Sequence, residues 1–146
     1  MSAGFLDTLA SLLTGRIELT EWSDAWDQPG LAIRVGYRAP RVAEDFPFVA
    51  LSLLNDRVDL NPHHRTTEIR IVIVCGARVE DLALPAAGLH CVDALDQAVL
   101  AAIADLPAVV SPRPGERRLA AMEAALTDFY PQHPNYQTER TYIFRG

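Results

Sequence analysis

The chain is predicted to fold as an α+β domain: a mostly antiparallel sheet with a long β-hairpin, flanked by an N-terminal helix and two later helices, and closed by a C-terminal strand. Three observations predict this. Apolar residues alternate with a period of two between Leu31 and Cys75. They recur every three to four residues near the N-terminus and again after Leu89. Strand patterns cluster early and helical patterns late, which favours α+β over alternating parallel βαβ units. The length is 146 residues, 49% hydrophobic and 22% charged, which is ordinary for one globular domain spanning 1–146.

The first helix places Phe5, Leu6, Leu9, Leu12 and Leu13 on one face, with Ser2 as a cap and Gly15 as a stop. Glu21 to Gly30 reads as a polar loop that ends in the turn pair Pro29-Gly30. The first strand alternates Leu31, Ile33, Val35 and Tyr37 with smaller or basic residues, and Pro40 ends it. A second strand, Phe48 to Leu54, is apolar on both faces and is expected to lie centrally. Asn55 to Thr67 reads as a polar connection, and Glu68 to Cys75 as the third strand, antiparallel to the second.

The second helix runs from about Leu89 to Leu106. Val92, Leu95, Val99, Ile103 and Leu106 form its inner stripe, with Asp93, Asp96 and Asp105 assigned to the outer face. Pro107 ends it. Ser111 to Gly115 reads as a linker. Glu116 to Tyr130 reads as a third helix, because Leu119, Met122, Leu126 and Phe129 are spaced three, four and three apart. Pro131 to Asn135 is a loop, and Thr138 to Phe144 is the closing strand, expected to pair with an earlier one.

Composition excludes several classes. The formal net charge is −6, against a basic grip on nucleic acid. All 13 basic residues are arginine, so no Schiff-base lysine, phosphate-cradling lysine or lysine general base exists. Cys75 and Cys91 are too few for a disulfide scaffold and lie outside any CxxC motif. The start of the chain lacks a basic signal-peptide region, and no apolar run approaches a membrane span, so a cytosolic, reduced protein with no membrane partner is the expectation.

Motifs for catalysis are equally sparse. The four histidines, His63, His64, His90 and His133, show no metal-ligand spacing. Nucleophile and phosphate-loop signatures are missing, and adjacent His90 and Cys91 would point in different directions on a helix. The sharpest enzyme candidate is a metal-dependent nuclease hairpin, with Asp56 or Asp59 ahead of Glu68-Ile69-Arg70. Its lysine position holds an arginine, which cannot act as a base near neutral pH. Trp22, Trp26, Tyr130, Tyr136 and Tyr142 fall in loops and the last strand, where exposed aromatics suit subunit contacts; core packing is the alternative for each. No enzyme activity, cofactor or metal is expected.

The order of elements carries a resemblance. A short N-terminal helix leads into a strand. The run Phe48-Val49-Ala50-Leu51-Ser52-Leu53 then passes through a polar loop into Arg65-Thr66-Thr67-Glu68-Ile69-Arg70-Ile71-Val72-Ile73-Val74. An amphipathic helix and a terminal strand follow. This pattern resembles the tail terminator proteins of long-tailed phages, also called tail-completion or head–tail joining proteins. The Pro112 to Arg118 stretch and the Tyr/Pro-rich segment before the last strand depart from it, and suit a neck or collar protein as well.

The resemblance implies a structural virion protein, assembled in the host cytoplasm and located in the tail or neck. Its partners would be itself, as a hexameric ring, together with the tail tube protein and the head connector or neck protein. DNA would pass through the centre without sequence-specific binding. On that reading the hairpin and the N-terminal helix pack on adjacent subunits, with Arg57, Asp59, His63, His64, Arg65, Arg140, Tyr142 and Arg145 as candidate contacts. Asp93, Asp96 and Asp105 would line the channel, where carboxylates repel phosphate and let DNA slide. The alternative of another class is a binding or adaptor module that meets a basic partner through the same acidic face.

Overall fold

The computed structural model describes residues 3–60, 65–80, 86–106, 109–110 and 118–146. Helices α1 (Ala3–Leu13) and α2 (Ile17–Ala25) lead into strand β1 (Ala32–Val35) and a 3-10 turn at Ala43–Asp45. The hairpin β2 (Phe48–Leu60) and β3 (Arg65–Arg78) follows, then α3 (Ala87–Ala104), β4 (Val109–Val110), β5 (Arg118–Gln132) and β6 (Asn135–Arg145). The six strands form one sheet in the order β1-β2-β3-β6-β5-β4. Among the described strands β1 and β2 run parallel and the other pairs are antiparallel. The α+β class, the hairpin, the N-terminal helix and the terminal strand all stand as the sequence predicts.

Three elements differ from the expectation. Residues 17–25, read largely as loop, form α2, whose Leu19 and Trp22 are buried. The segment read as a third helix is β5, which pairs along its whole length with β6. The hairpin arms are also longer than their apolar cores, because polar residues continue the ladder as far as Leu60 paired with Arg65. Strand β2 consequently lies one place from the sheet edge rather than at its centre, and β1 covers only its Phe48–Leu51 end.

The three helices cover one face of the sheet. Alternation sends Val49, Leu51, Ile69, Ile71, Ile73, Tyr142 and Phe144 toward them, where Phe5, Leu9, Leu13, Leu95, Val99 and Ile103 meet the strands. Each such buried side chain contributes about 1.5–3 kcal/mol of transfer free energy. Phe5 packs edge-on against Phe144 with centroids 5.1 Å apart. Gly15, with φ at +82°, turns the chain between α1 and α2. The Trp22 indole N–H donates to the Cys91 carbonyl at 3.0 Å and ties α2 to α3. Among the described residues the opposite face carries a small apolar cluster, Phe48, Ala50 and Val74 with Phe46 and Val72 against it.

Candidate assembly surfaces

The groups that would suit chemistry are committed to structure. Among the described residues no group of three His, Cys, Asp or Glu side chains could hold a metal ion. Both cysteines are buried; desolvation pushes the Cys91 thiol up to about 12 and Cys75 higher still. Glu68, the acid of the nuclease reading, accepts from Arg70 Nε at 2.7 Å and Arg145 Nε at 3.2 Å. Those hydrogen bonds, that from Arg70 first, hold its carboxyl below the ordinary range, so it stays ionised and occupied.

The residues expected at subunit contacts divide into several groups. Tyr142 is 1% exposed and belongs to the core, so it is withdrawn as a contact. Arg140 turns inward under α3, where its Nε and a terminal nitrogen donate to Asp96 at 2.8–3.2 Å. Asp96 is therefore not on the outer face of α3: it is 1% exposed and cannot line a channel. Asp93 is exposed; Asp105 is exposed but engaged by Arg16 at 2.5 Å. Arg145 is exposed at the end of β6 and bridges to Glu68, and Arg57 is exposed on β2. Asp59 and Arg65 sit on the hairpin ladder, opposite Thr66 and Leu60. His63 and His64 lie outside the described residues. Of the aromatics, Trp22 and Tyr136 are buried and Tyr130 is exposed.

What the sequence reading missed is the bare face and the edges of the sheet. Tyr37 and Tyr130 stand over Ser52, Val72, Val74 and Gln137 and enclose a groove of about 420 Å³. The Tyr37 hydroxyl donates to Gln137 Oε1 at 3.0 Å, which bridges the loop after β1 to β6. A hydrogen bond to the Asp128 carboxylate holds the proton on the Tyr130 phenol and raises its pKa above the usual value, with desolvation and the carboxylate's charge adding to it.

The edges are longer than the groove. On one side β4 pairs only with Leu119 and Arg118, and no described strand lies outside β5 from Ala120 to Gln132. On the other side β1 pairs only with Phe48–Leu51, and no described strand lies outside β2 from Leu53 onward. Large apolar side chains are exposed near both edges: Leu53 and Leu54 on β2, Leu126 and Tyr130 on β5. Charges are mixed on both: β2 beyond Leu53 carries Asp56, Arg57 and Asp59, and β5 carries Arg118, Glu123 and Asp128.

No protein family of known description matches the chain, and no curated protein does. A solved structure does: a chain described as part of the virion of native gene transfer agent (GTA) particle, with a TM-score of 0.57 and 14% identity. The chain has the fold of a virion component. The likeness spans 96% of this chain and 92% of that one, so it extends to the edge strands as well as the central hairpin. At 14% identity it is the arrangement of elements that is shared, while the side chains on each surface are this chain's own.

Proposed function

We propose that this chain is a structural protein of a phage-like virion, and that it acts as a tail terminator: a ring that caps the tail tube and joins it to the head connector while DNA passes through the centre. The observation that carries the reading is the end-to-end likeness to a chain of a gene transfer agent virion, matched almost completely in both directions. A sheet face that no described helix covers and two sheet edges with no described neighbour over much of their length support it, since a subunit built for assembly needs surfaces that remain uncovered until neighbours arrive. The mechanism is geometric. A heterologous interface repeated by rotation closes into a ring, and a closed ring with two different faces can match the tube on one side and refuse another tube subunit on the other.

The test is the mass of the purified protein over a concentration series, alone and with purified tail tubes. A closed ring, or one that forms at tube ends and stops their growth, is the expected result. Binding to the connector with no effect on tubes would instead make it a neck or collar protein of the same junction. A monomer that ignores both would overturn the virion reading.

A further inference from the structure

We propose that the groove between Tyr37 and Tyr130 is a docking site for an arginine side chain carried by another protein. The site stands whether or not the chain caps a tail, and it sets one chemical demand on whatever meets the bare face.

The groove lies open on the sheet and crosses four adjacent strands, from Tyr130 on β5 to Ser52 on β2, with Tyr37 over it from the loop after β1. Its floor on β3 is apolar, formed by Val72 and Val74. Its β5–β6 end is acidic. Glu139 and Asp128 are direct partners in the β5–β6 ladder, and like charges directly opposite each other across strands destabilise. The groups that hold them are neutral. The Thr127 hydroxyl donates to Glu139 Oε2 at 3.1 Å, and the Phe129 N–H donates to Asp128 Oδ1 at 2.8 Å. No arginine bridges to either carboxylate among the described residues. A cation placed between them would therefore relieve a repulsion that the free subunit carries.

The hydrogen-bonding balance also asks for a donor. Both tyrosine protons are given away inside the protein: Tyr37 donates to Gln137 Oε1 at 3.0 Å, and Tyr130 donates to Asp128. The groove is left with acceptors and with two rings that are 43% and 48% exposed. Glu139 keeps lone pairs free, since a carboxylate takes about four hydrogen bonds.

The kind of cation follows from the same residues. Among the described residues no three donors converge as a metal would need. Tyrosine faces attract a guanidinium, whose planar fork also fits a carboxylate in two-pronged fashion. An apolar stem on Val72 and Val74, leading to a charged head at Glu139, matches the division of an arginine side chain. The same face already holds one guanidinium in this way. The Arg34 guanidinium carbon lies 5.1 Å from the centre of the Phe48 ring, which itself neighbours Tyr37 at 6.3 Å. The arginines flanking the groove are engaged elsewhere, Arg34 with the Asp45 carbonyl at 3.0 Å and Arg70 with Glu68 at 2.7 Å. The occupant therefore comes from outside the subunit.

Nuclear magnetic resonance titration of the full chain tests this. The probe is the blocked tripeptide acetyl-Gly-Arg-Gly-amide, and the comparison is the same peptide with citrulline, which keeps the shape and loses the charge. The arginine peptide is expected to shift the signals of Tyr130, Gln137 and Glu139, and the citrulline peptide to leave them in place. E139Q should weaken the arginine peptide about tenfold, the size of one charge-assisted hydrogen bond. It should leave the urea midpoint unchanged or higher, because glutamine can still accept from Thr127 while one of two facing charges is gone. E139Q with D128N should erase the difference between the two peptides.

Equal binding of the citrulline peptide would overturn the proposal, since the groove would then read shape alone. So would shifts centred on exposed Asp93 on α3, or no shift at all. A lysine peptide that binds as well as the arginine one would overturn the choice of guanidinium. If the groove signals move with protein concentration alone and the arginine peptide reverses this, the occupant is a second copy, which overturns a separate partner. A ring on tube ends with an inert groove would leave the terminator reading standing without this site. A responsive groove on a monomer that ignores tubes would do the reverse.

Discussion

Asp96 and Arg140 meet beneath α3 with side chains only 2% and 11% exposed, and the geometry is two-pronged, with contacts of 2.8 to 3.2 Å. The pair locks the helix to β6, and the carboxylate beside it raises the Arg140 pKa. Removing one partner leaves a buried charge unmatched, whereas removing both leaves an apolar site. Asp96→Ala is therefore expected to cost about 3–5 kcal/mol in urea unfolding. The double change Asp96→Leu with Arg140→Met should recover most of that loss. If the double variant is as unstable as the single one, the pair does more than compensate its own desolvation. Burial of Asp96 was legible in the sequence: it lies four residues after Val92, three before Val99 and seven before Ile103, on the core stripe. Its charge argued for the outer face, but the period was the stronger signal, because Arg140 arrives from a strand distant in sequence to satisfy the carboxylate.

At the scale of elements, the reading of β5 as a helix has a definite cause. Its register against β6 skips at Met122 and at Thr127. Each bulge shifts the face by one residue, so the residues opposite Phe144, Tyr142, Arg140 and Thr138 are Ala121, Ala124, Leu126 and Phe129. With Leu119 ahead of them, the inward positions advance by two, three, two and three, which blurs the strand period toward a helical one. Alanine-rich composition then favours helix locally, and pairing with β6 overrides it. Helix α2 was missed for the opposite reason, since only Leu19 and Trp22 anchor it. The docking of α3 gives a prediction. Gly88 lies directly against the ring of Tyr136, and a Cβ there would overlap it. That ring is 4% exposed, and its hydroxyl is held by His133 Nδ1 at 2.9 Å. Gly88→Ala should thus destabilise by about 1–3 kcal/mol despite the better helix propensity of alanine. In a Tyr136→Ala background the same change should become neutral or favourable. Urea midpoints of the four proteins read this directly.

At the scale of the molecule, the sequence carried the class and the hairpin, because β-branched alternation there is uninterrupted. It did not carry the sheet order, since the return of β6 beside β3 is set by packing between distant segments. The order matters because it leaves β2 beyond Leu51 and β5 beyond Leu119 without a described outer neighbour, and those are the two places where the backbone of another chain can extend the sheet.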